Sequence, residues 1–500
     1  MTTRKKTTAR KRSVPKENKP AAGPKTARGL KIRMYRVGFG DFFLVTVPQP
    51  SGPQYILIDC GVFKGTSGTG DIGSIVEAVE DMYQTTKGHL ALVIMTHRHA
   101  DHIAGFSKAE RFNDFTAGMV WMPYWEQFSD QKDSPHNLQS DIHELAMNLA
   151  MQFRGSQDPE AQEALAQLGN ATGIEDFNAA AKNGKKRGGN AKALDMLKNH
   201  LGANGKKVRY YSAGDKPELP DELKHGLKAT ILGPPPKKAK AFMALTDFKK
   251  GVGQYLDSII DTDDGPKAIQ PFPQEWTANV AQEYPKKDLR GPDPKNLPDI
   301  DYEQFKKDVD GSQPDMLAAA AGKIETFLNN QSLVVLFEFG GKKLLFAGDA
   351  QAGNWEYWLF KLGEPMKDPT KAGDLVERSK ELLQTIDFYK VGHHGSTNST
   401  PIQAVEAAIA RPKSNKGFVS MCSTEDRVYG NRDKGTEVPR IPLMDVLSSG
   451  SCLIRSDSFP ITITDPKKKV IKPARGVNVR LPKPKIGKLS KAQLYIEYSF

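Results

Sequence analysis

The segment LALVIMTHRHADH, residues 90–102, constrains the fold more than any other part of the sequence. Its apolar first half predicts a buried strand that ends at Thr96. Three histidines and an aspartate follow at once, so they emerge at the carboxyl end of the strand, where α/β sheets place their ligand sites. This position predicts a functional site rather than a surface loop with three unrelated histidines.

Apolar runs of the same kind alternate with helical text along much of the chain. This alternation predicts an α/β fold, and the lack of an internal repeat argues against a solenoid. A hairpin is expected around Gly340-Gly341. The predicted strands include KIRMYRV, DFFLVTV, YILIDCG, VRYYSAGD, LKATILGPPP, SLVVLFEF, KKLLFAGDA and IDFYKV, and the predicted helices include SIVEAVEDMYQTT and NWEYWLFKL.

Polar segments and basic ends divide the chain. A domain is predicted over residues 30–465, with two large, polar, partly helical insertions at about 126–205 and 237–325. Residues 1–30 carry a net charge of +9 and residues 466–491 carry +10, out of +12 for the whole chain. We therefore predict a disordered basic arm over 1–29 and a basic C-terminal extension over 466–500. Such arms attract nucleic acids or other polyanions, and solubility or localisation is the alternative role.

Other features exclude several classes of protein. No apolar run approaches the roughly 18–20 residues of a membrane helix, so no membrane span is expected. The sequence MTTRKKTTARKR is not followed by the apolar block of a secretory signal. Three cysteines, Cys60, Cys422 and Cys452, cannot form a disulfide framework and suit a reducing cytoplasm, which is the predicted location. The sequence indicates no protein partner.

The histidine segment has the chemistry of a metal site. In extended chain, His97 and His99 point the same way, and Asp101 and His102 project from the helical turn that follows. Three imidazoles and a carboxylate without a thiolate suit Zn²⁺ or Mn²⁺. The pattern therefore predicts a metal centre at the end of this strand.

Two further strands end in candidate ligands. Asp349 follows the strand KKLLF, and His393 follows IDFYKV. Taken alone, Asp349 would be interpreted as a helix N-cap and His393 as a core or turn histidine. Because three strands each place a ligand at their carboxyl ends, we expect these side chains to converge.

These residues carry a resemblance to a known family. THRHADH, the preceding ILIDCG and the later LLFAGDA and KVGHHGS resemble the successive motifs of the metallo-β-lactamase superfamily. RVGFGDFFLV, NNQSLVVLFEFGGKKLLFAGDA and HHGS are most similar to the hydrolase domain of ComEC-type competence DNA-uptake proteins and their soluble relatives. The resemblance covers roughly residues 30–125, 206–236 and 328–430, and leaves the insertions and arms uncovered.

The resemblance implies an αββα sandwich with two divalent metal ions at one edge. His97 and His99 would bind the first ion. Asp101 and His102 would bind the second, Asp349 would bridge both, and His393, preferred to His394, would complete the second site. Asp59 would accept a hydrogen bond that orients the ligand loop.

One departure concerns the first ion. The family usually supplies a further histidine there, whereas Asn329 and Asn330 occupy roughly that place here. An amide oxygen is a poorer zinc ligand than imidazole. We therefore expect the first site to bind metal more weakly and to favour Mn²⁺.

The resemblance implies hydrolysis by a metal-bound hydroxide, with Asp101 and His394 as catalytic residues. His394 would protonate a leaving oxygen or hold a phosphate, and Ser396 and Thr397 would donate to a phosphate oxygen. A phosphodiesterase or nuclease acting on DNA or another nucleic acid is the preferred hypothesis. The alternatives are a hydrolase of a small-molecule ester, lactone, thioester or β-lactam, and a catalytically weak metal-binding scaffold.

Overall fold

The chain folds around two mixed β-sheets. A computed structural model describes residues 27–63, 73–127, 135–182, 188–244, 314–359, 376–409, 418–426, 428–430, 437–457, 485–489 and 492–500. Within these ranges it contains eleven α-helices and two sheets, which confirms the α/β prediction. Most of the predicted 1–29 arm and residues 245–313 of the second predicted insertion lie outside the described residues.

The first sheet has eight strands in the order β13-β14-β1-β2-β3-β4-β5-β6. Strands β3 to β6 pair in parallel, and the other neighbours pair antiparallel. The strands are β1 (Lys31–Tyr35), β2 (Phe42–Gln49), β3 (Gly52–Cys60), β4 (His89–Ile94), β5 (Thr116–Pro123), β6 (Val208–Tyr211), β13 (Lys485–Leu489) and β14 (Ala492–Ser499).

The second sheet has six strands in the order β12-β11-β10-β9-β8-β7. Strands β9 to β12 are parallel, whereas β7, β8 and β9 pair antiparallel. The register pairs Phe339 with Lys342, so the predicted hairpin at Gly340-Gly341 is confirmed. The strands are β7 (Lys228–Gly233), β8 (Val334–Phe339), β9 (Lys342–Phe346), β10 (Phe388–Lys390), β11 (Val419–Cys422) and β12 (Cys452–Arg455).

Local sequence signals start several helices. Ser74 caps the first helix through a reciprocal capping box with Glu77, which satisfies backbone N–H groups that the first turn leaves unpaired. The helices are α1 (Ile75–Thr86), α2 (Ala100–Lys108), α3 (Pro135–Phe153), α4 (Pro159–Thr172), α5 (Phe177–Lys182), α6 (Gly189–Asp195), α7 (Pro314–Asn329), α8 (Ala352–Leu359), α9 (Glu377–Thr385), α10 (Ile402–Ile409) and α11 (Ile441–Gly450).

Apolar side chains of both sheets share one buried cluster. Phe43 of β2 packs against Phe346 of β9 with ring centroids 6.1 Å apart, and Trp121 of β5 stacks on Phe337 of β8 at 6.3 Å. A second cluster joins the first sheet to α1, α2 and α6, and a third joins the second sheet to α8, α9, α10 and α11. Burial of these faces is the main favourable term in folding and fixes how the strand ends meet.

Four helices form a separate apolar cluster outside the sheets. It contains buried alanines and leucines of α3, α4, α5 and α7. Helices α3 to α5 fall in the first predicted insertion, and most of α7 falls in the second, whose described end is therefore helical. The two predicted insertions contact each other through this cluster.

The end of the chain belongs to the first sheet, which corrects the predicted 466–500 extension. Strand β14 pairs with β1 over residues 31–35 and 495–499, and Leu494 and Ile496 are buried. The alternating text QLYIEYS is typical of a half-buried strand, but it follows a lysine-dense stretch that drew the prediction of a solvated arm. Residues 458–484 lie outside the described residues.

Membrane-spanning helices were sought among the described residues. None of the helices there is both long and apolar enough to cross a bilayer.

Arg33 holds the last strand in place, so its replacement should loosen the sheet. Its guanidinium donates to Glu497 at 3.1 and 2.9 Å and to Asp81 at 2.8 Å, and all three side chains are largely buried. Breaking a buried ion pair costs about 3–5 kcal/mol. We expect Arg33→Gln to lower the free energy of unfolding by about that amount, measured by urea denaturation.

Lys31 provides the matched control for this change. It contacts the same Glu497 at 3.6 Å, but its side chain is 42% exposed. Exposed pairs contribute about 0–1 kcal/mol, so Lys31→Gln should unfold almost like wild type. Equal effects of the two substitutions would contradict the role given to Arg33.

Candidate metal centre

Four predicted ligands lie on the turn that joins β4 to α2. His97 and His99 are in extended chain after β4, and Asp101 and His102 lie in the first turn of α2. All four are at most 2% exposed. The apolar β4 is buried at the centre of its sheet, and its burial carries these polar side chains into the interior.

The backbone on either side fixes this turn. Asp41 N–H donates to the Asp101 carbonyl at 2.8 Å, and Gly61 N–H donates to the Asp41 carbonyl at 2.9 Å. A Cβ on Gly61 would lie 2.0 Å from the Asp101 carbonyl carbon, so only glycine allows β3 to approach the turn this closely.

The second sheet brings Asp349 and His394 to the same place. His102 Nε2 lies 2.9 Å from Asp349 Oδ2, and His394 Nε2 lies 3.1 Å from Asp101 Oδ2. His97 Nε2 and His99 Nδ1 are 2.9 Å apart. The sites that these atoms could form are His97, His99 and Asp101 for one ion, and Asp101, His102, Asp349 and His394 for another.

The donor atoms of this cluster fit a bound cation. Four of them are buried and have no hydrogen-bond partner among the described residues: His99 Nε2, Asp101 Oδ1, His102 Nε2 and Asp349 Oδ2. A buried polar atom left unpaired costs about 1–3 kcal/mol, so folded proteins rarely keep several together. Nitrogen and carboxylate donors suit Zn²⁺ or Mn²⁺, and the cluster can therefore hold a metal ion.

The pKa values of the histidines prepare two of them as ligands. Burial lowers the pKa of His97 well below its usual value and also lowers that of His99, although Asp101 and Glu325 oppose the shift at His99. Both imidazoles are therefore neutral at pH 7, which is the form that binds metal. Burial also acts on His102, but Asp349, Asp41 and Asp59 outweigh it and raise its pKa.

The Asp349 carboxylate is ionised in this environment. Burial raises its pKa, but His102 and Lys390 outweigh burial and hold the pKa well below its usual range. Lys390 Nζ lies 3.3 Å from Asp349 Oδ1, and the backbone N–H of His393 donates to the same oxygen at 3.1 Å. Asp349 therefore keeps Oδ2 for a cation.

Asp59 orients the ligand turn, as the sequence predicts. It accepts hydrogen bonds from Thr96 N–H at 2.8 Å and from the Thr96 hydroxyl at 2.6 Å. Its Oδ2 also lies 2.8 Å from His102 Nδ1. A carboxylate at Nδ1 fixes the ring and directs Nε2 of His102 towards Asp349.

The two adjacent histidines take roles opposite to those expected. His394, not His393, lies in the ligand group, and it is fully buried, with Nδ1 2.7 Å from the Ser423 carbonyl. The His393 side chain is 13% exposed, with Nε2 3.9 Å from Asp349 Oδ2 and 3.3 Å from Glu325 Oε1. Both residues have positive φ angles, of 42° and 52°, which turn the second ring inward where an extended chain would place the first.

The asparagines expected near the first ion differ from each other. Asn330 is structural, because its Nδ2 donates to the Met243 carbonyl and its Oδ1 accepts from Asn354 N–H. Asn329 is fully buried, and neither of its side-chain polar atoms has a partner among the described residues. Ser332, which the sequence analysis did not single out, lies 3.3 Å from His97 Nδ1 and accepts from Asp349 N–H.

The predicted substrate residues lie beside the centre. Ser396 N–H donates to the His393 carbonyl at 2.8 Å, and its hydroxyl donates to Asn398 at 3.1 Å. The side chain of Thr397 lies outside the described residues. The structure therefore places Ser396 next to the most exposed histidine of the centre.

Sequence reasoning missed three charged residues at the centre. Asp41 and Lys390 form a fully buried ion pair between the two sheets, and Glu325 of α7 contacts His393. Asp41 stands in GFGDFF and Lys390 in IDFYKV, and a lone charge within apolar strand text was the available signal. Glu325 gave no signal, because its helix comes from a segment predicted to be an insertion.

A second ion pair supports the histidine turn from outside. Arg98, between His97 and His99, donates to both oxygens of Glu126 at 2.7 and 2.9 Å. Lys198 adds a contact to Glu126 at 3.3 Å. This arrangement turns the Arg98 side chain away from its two neighbours and leaves the histidines facing the cluster.

The sequence was compared with models of known protein families and with curated proteins. Neither comparison gave a match. The residues and their geometry therefore carry the functional argument.

The two adjacent histidines allow a direct test of the ligand set. We expect His394→Asn to lose the cation of the second group, because it removes a buried imidazole from that group. His393→Asn should retain it. Metal content after dialysis, measured by inductively coupled plasma mass spectrometry, checks this. Loss of metal in the His393 variant alone would restore the assignment expected from the sequence.

The Glu126 pair predicts a defined loss of stability in acid. Burial raises the pKa of Glu126, but Arg98 and Lys198 outweigh it and lower the pKa to about 2. A carboxyl with a depressed pKa stabilises the fold above its unfolded pKa of about 4.3, here by on the order of 3 kcal/mol, and loses that stability as pH falls towards 2. The thermal midpoints of wild type and Glu126→Gln should therefore differ at pH 6 and converge as pH falls from 5 to 3. A constant difference would contradict this account.

Proposed function

We propose that this chain is a metal-dependent hydrolase of the metallo-β-lactamase superfamily. The observation that carries the proposal is the cluster of unpartnered donor atoms, which come from the strand ends of two sheets and meet in one buried place. Ligands from distant parts of the sequence converge there without a thiolate. Such a cluster suits hydrolytic metal chemistry better than a structural zinc site, which usually contains cysteine.

The arrangement of layers supports the same family. The two sheets share an apolar cluster, and each packs helices on its other face, which is the order of layers in an αββα sandwich. The candidate ligands follow β4, β9 and β10, as the resemblance implies. Helices α3 to α5 and α7 would then be the parts of the insertions that lie beside the site.

The chain's residues would divide the work as follows. A pair of divalent cations lowers the pKa of coordinated water to near neutrality and stabilises charge that develops on oxygen. His97 and His99 would hold one cation, while His102 and His394 would hold the other, with Asp101 and Asp349 between them. Asp59 and Lys390 would keep His102 and Asp349 oriented, and His393 Nε2, at the exposed edge, would hold a proton for the leaving oxygen.

A phosphodiester of DNA or another nucleic acid is the proposed substrate. The basic residues of 1–30 and 466–491 would hold a polyanion next to a negatively charged body. His393 and Ser396 lie side by side where the centre is least buried, so a phosphate would approach from there. The resemblance to ComEC-type hydrolase domains favours the same substrate class.

The burial of the centre favours a second candidate. The ligands of both groups are at most 2% exposed, and α4 covers the turn, since Asn170 Oδ1 accepts from Asp101 N–H at 3.0 Å. A small ester, lactone, thioester or β-lactam would reach such a site more easily than an internal bond of a duplex. The basic ends would then serve localisation.

An activity panel separates these functions. Metal-free protein would be given Mn²⁺ or Zn²⁺ and incubated with single-stranded DNA, duplex DNA, RNA, a chromogenic phosphodiester and a chromogenic lactam, with Asp349→Asn as the control. We expect Mn²⁺-dependent cleavage of nucleic acid that falls at least tenfold between 50 and 200 mM salt, because polyanion binding releases counterions.

The other outcomes are equally distinct. Salt-independent turnover of the lactam or of another neutral ester would establish the small-molecule function instead. Bound metal without turnover of any substrate would indicate a scaffold. Activity that survives Asp349→Asn would contradict a hydrolase at this centre.

A further inference from the structure

We propose that helix α7 is part of the metal centre, and that Glu325 is the anionic ligand of the cation at His97 and His99. This proposal rests on the proposed function and deepens it, because it makes formation of the first metal site depend on docking of a helix from outside the two sheets. The sequence alone predicted a weak first site. Glu325 would remove that weakness.

The first group lacks donors of its own. It consists of His97, His99 and Asp101, and Asp101 also belongs to the second group. Two neutral imidazoles and a shared carboxylate fall short of the four ligands that zinc usually takes, and they leave most of its charge uncompensated. A further anionic donor next to His97 and His99 would complete the set.

Glu325 is positioned to be this donor. Its Oε1 lies 3.3 Å from His393 Nε2 at the edge of the centre, and its charge acts on His99. The Glu325 side chain is only 14% exposed, in a part of the protein already crowded with carboxylates. A buried carboxylate near Asp101 and Asp349 would be repelled by both, unless a cation lies between them.

Asn329 is a second, independent observation on the same helix. It lies one turn after Glu325, so both project from the same face of α7. Asn329 is fully buried, and neither its oxygen nor its nitrogen has a partner among the described residues. An amide left unpaired in a well-packed interior costs about 1–3 kcal/mol, and a cation beside it would satisfy its oxygen.

The end of α7 is fixed to the centre and cannot turn away easily. Asn354 Nδ2 donates to the carbonyls of Asn330 and Ser332, at 3.1 and 2.8 Å. Ser332 in turn contacts His97 and accepts from Asp349 N–H. On its other side α7 packs into the apolar cluster of α3, α4 and α5 through Leu317, Ala321, Ile324 and Leu328.

Cation binding and the docking of α7 should therefore be linked. A ligand that binds only the docked form stabilises that form by mass action. Amide hydrogen exchange of residues 317–329 in the wild-type protein should slow at least tenfold when Mn²⁺ is added to metal-free protein. This measurement needs no variant, so it does not depend on whether a substitution folds.

Substitution of Glu325 tests the ligand role itself. Isothermal titration with Mn²⁺ should show two cations for wild type and one for Glu325→Gln, with the affinity of the weaker site reduced at least a hundredfold. Groups that only support a ligand cost about 10–100-fold, so a larger loss indicates direct binding. The exchange protection of α7 by Mn²⁺ should disappear in the same variant. Lys323→Gln, on the exposed side of α7, is the matched control and should behave like wild type.

The outcomes separate this inference from the proposed function. Two cations with unchanged affinity in Glu325→Gln, or exchange in wild-type α7 that ignores Mn²⁺, would overturn the role of Glu325 and leave the hydrolase intact. A wild-type protein that binds no cation would overturn both. Unchanged thermal midpoints of the metal-free variants would show that the loss of a cation is not a loss of fold.

Discussion

Compensation of buried charge at the strand ends is the constraint on which the rest of the structure depends. Four carboxylates, those of Asp41, Asp59, Asp101 and Asp349, are at most 2% exposed and lie close to one another. Buried ions persist only when they are paired, and here the fully buried cation is Lys390, which lies between Asp41 of the first sheet and Asp349 of the second. The shared apolar cluster brings the sheets face to face, but this ion pair determines how their ends meet. Bound divalent cations would add the positive charge that the carboxylates still lack.

The helices outside the sheets are more than surface decoration. Helix α4 contributes Asn170, which accepts from the backbone of Asp101, and α7 contributes Glu325, which contacts His393. Both helices belong to one apolar cluster with α3 and α5, so the contacts of one are coupled to those of the other. The metal ligands are consequently closed off on this side, and the least buried histidine marks the remaining approach. On the proposed function, this cover would select which substrates reach the centre, while the sheet edge would perform the reaction.

The sequence predicts the sheets and most of the centre well, because the relevant signals are local. A buried strand followed by HRHADH predicts both the position and the direction of four side chains, and Asp349 and the histidine pair follow by the same logic. Which histidine turns inward could not be predicted, because it depends on two positive φ angles that no residue type at those positions requires. The strand Ala492–Ser499 was missed because its partner, β1, lies at the opposite end of the chain. Glu325 and Lys390 were missed for the same physical reason, since their roles come from contacts between distant elements.

The electrostatics of the centre also suggest an order of events. In the absence of cations, an anionic substrate that approaches His393 meets Glu325, Asp101 and Asp349 within a short distance, and only Lys390 and His102 oppose them. Coulomb repulsion at such separations is several times stronger inside a protein than in water, so a phosphate would be rejected. Two divalent cations would reverse the sign of the local field, and the same carboxylates would then serve as ligands. Cation binding should therefore precede binding of an anionic substrate, whereas a neutral ester would meet no such barrier, and the order of addition distinguishes the two proposed substrate classes.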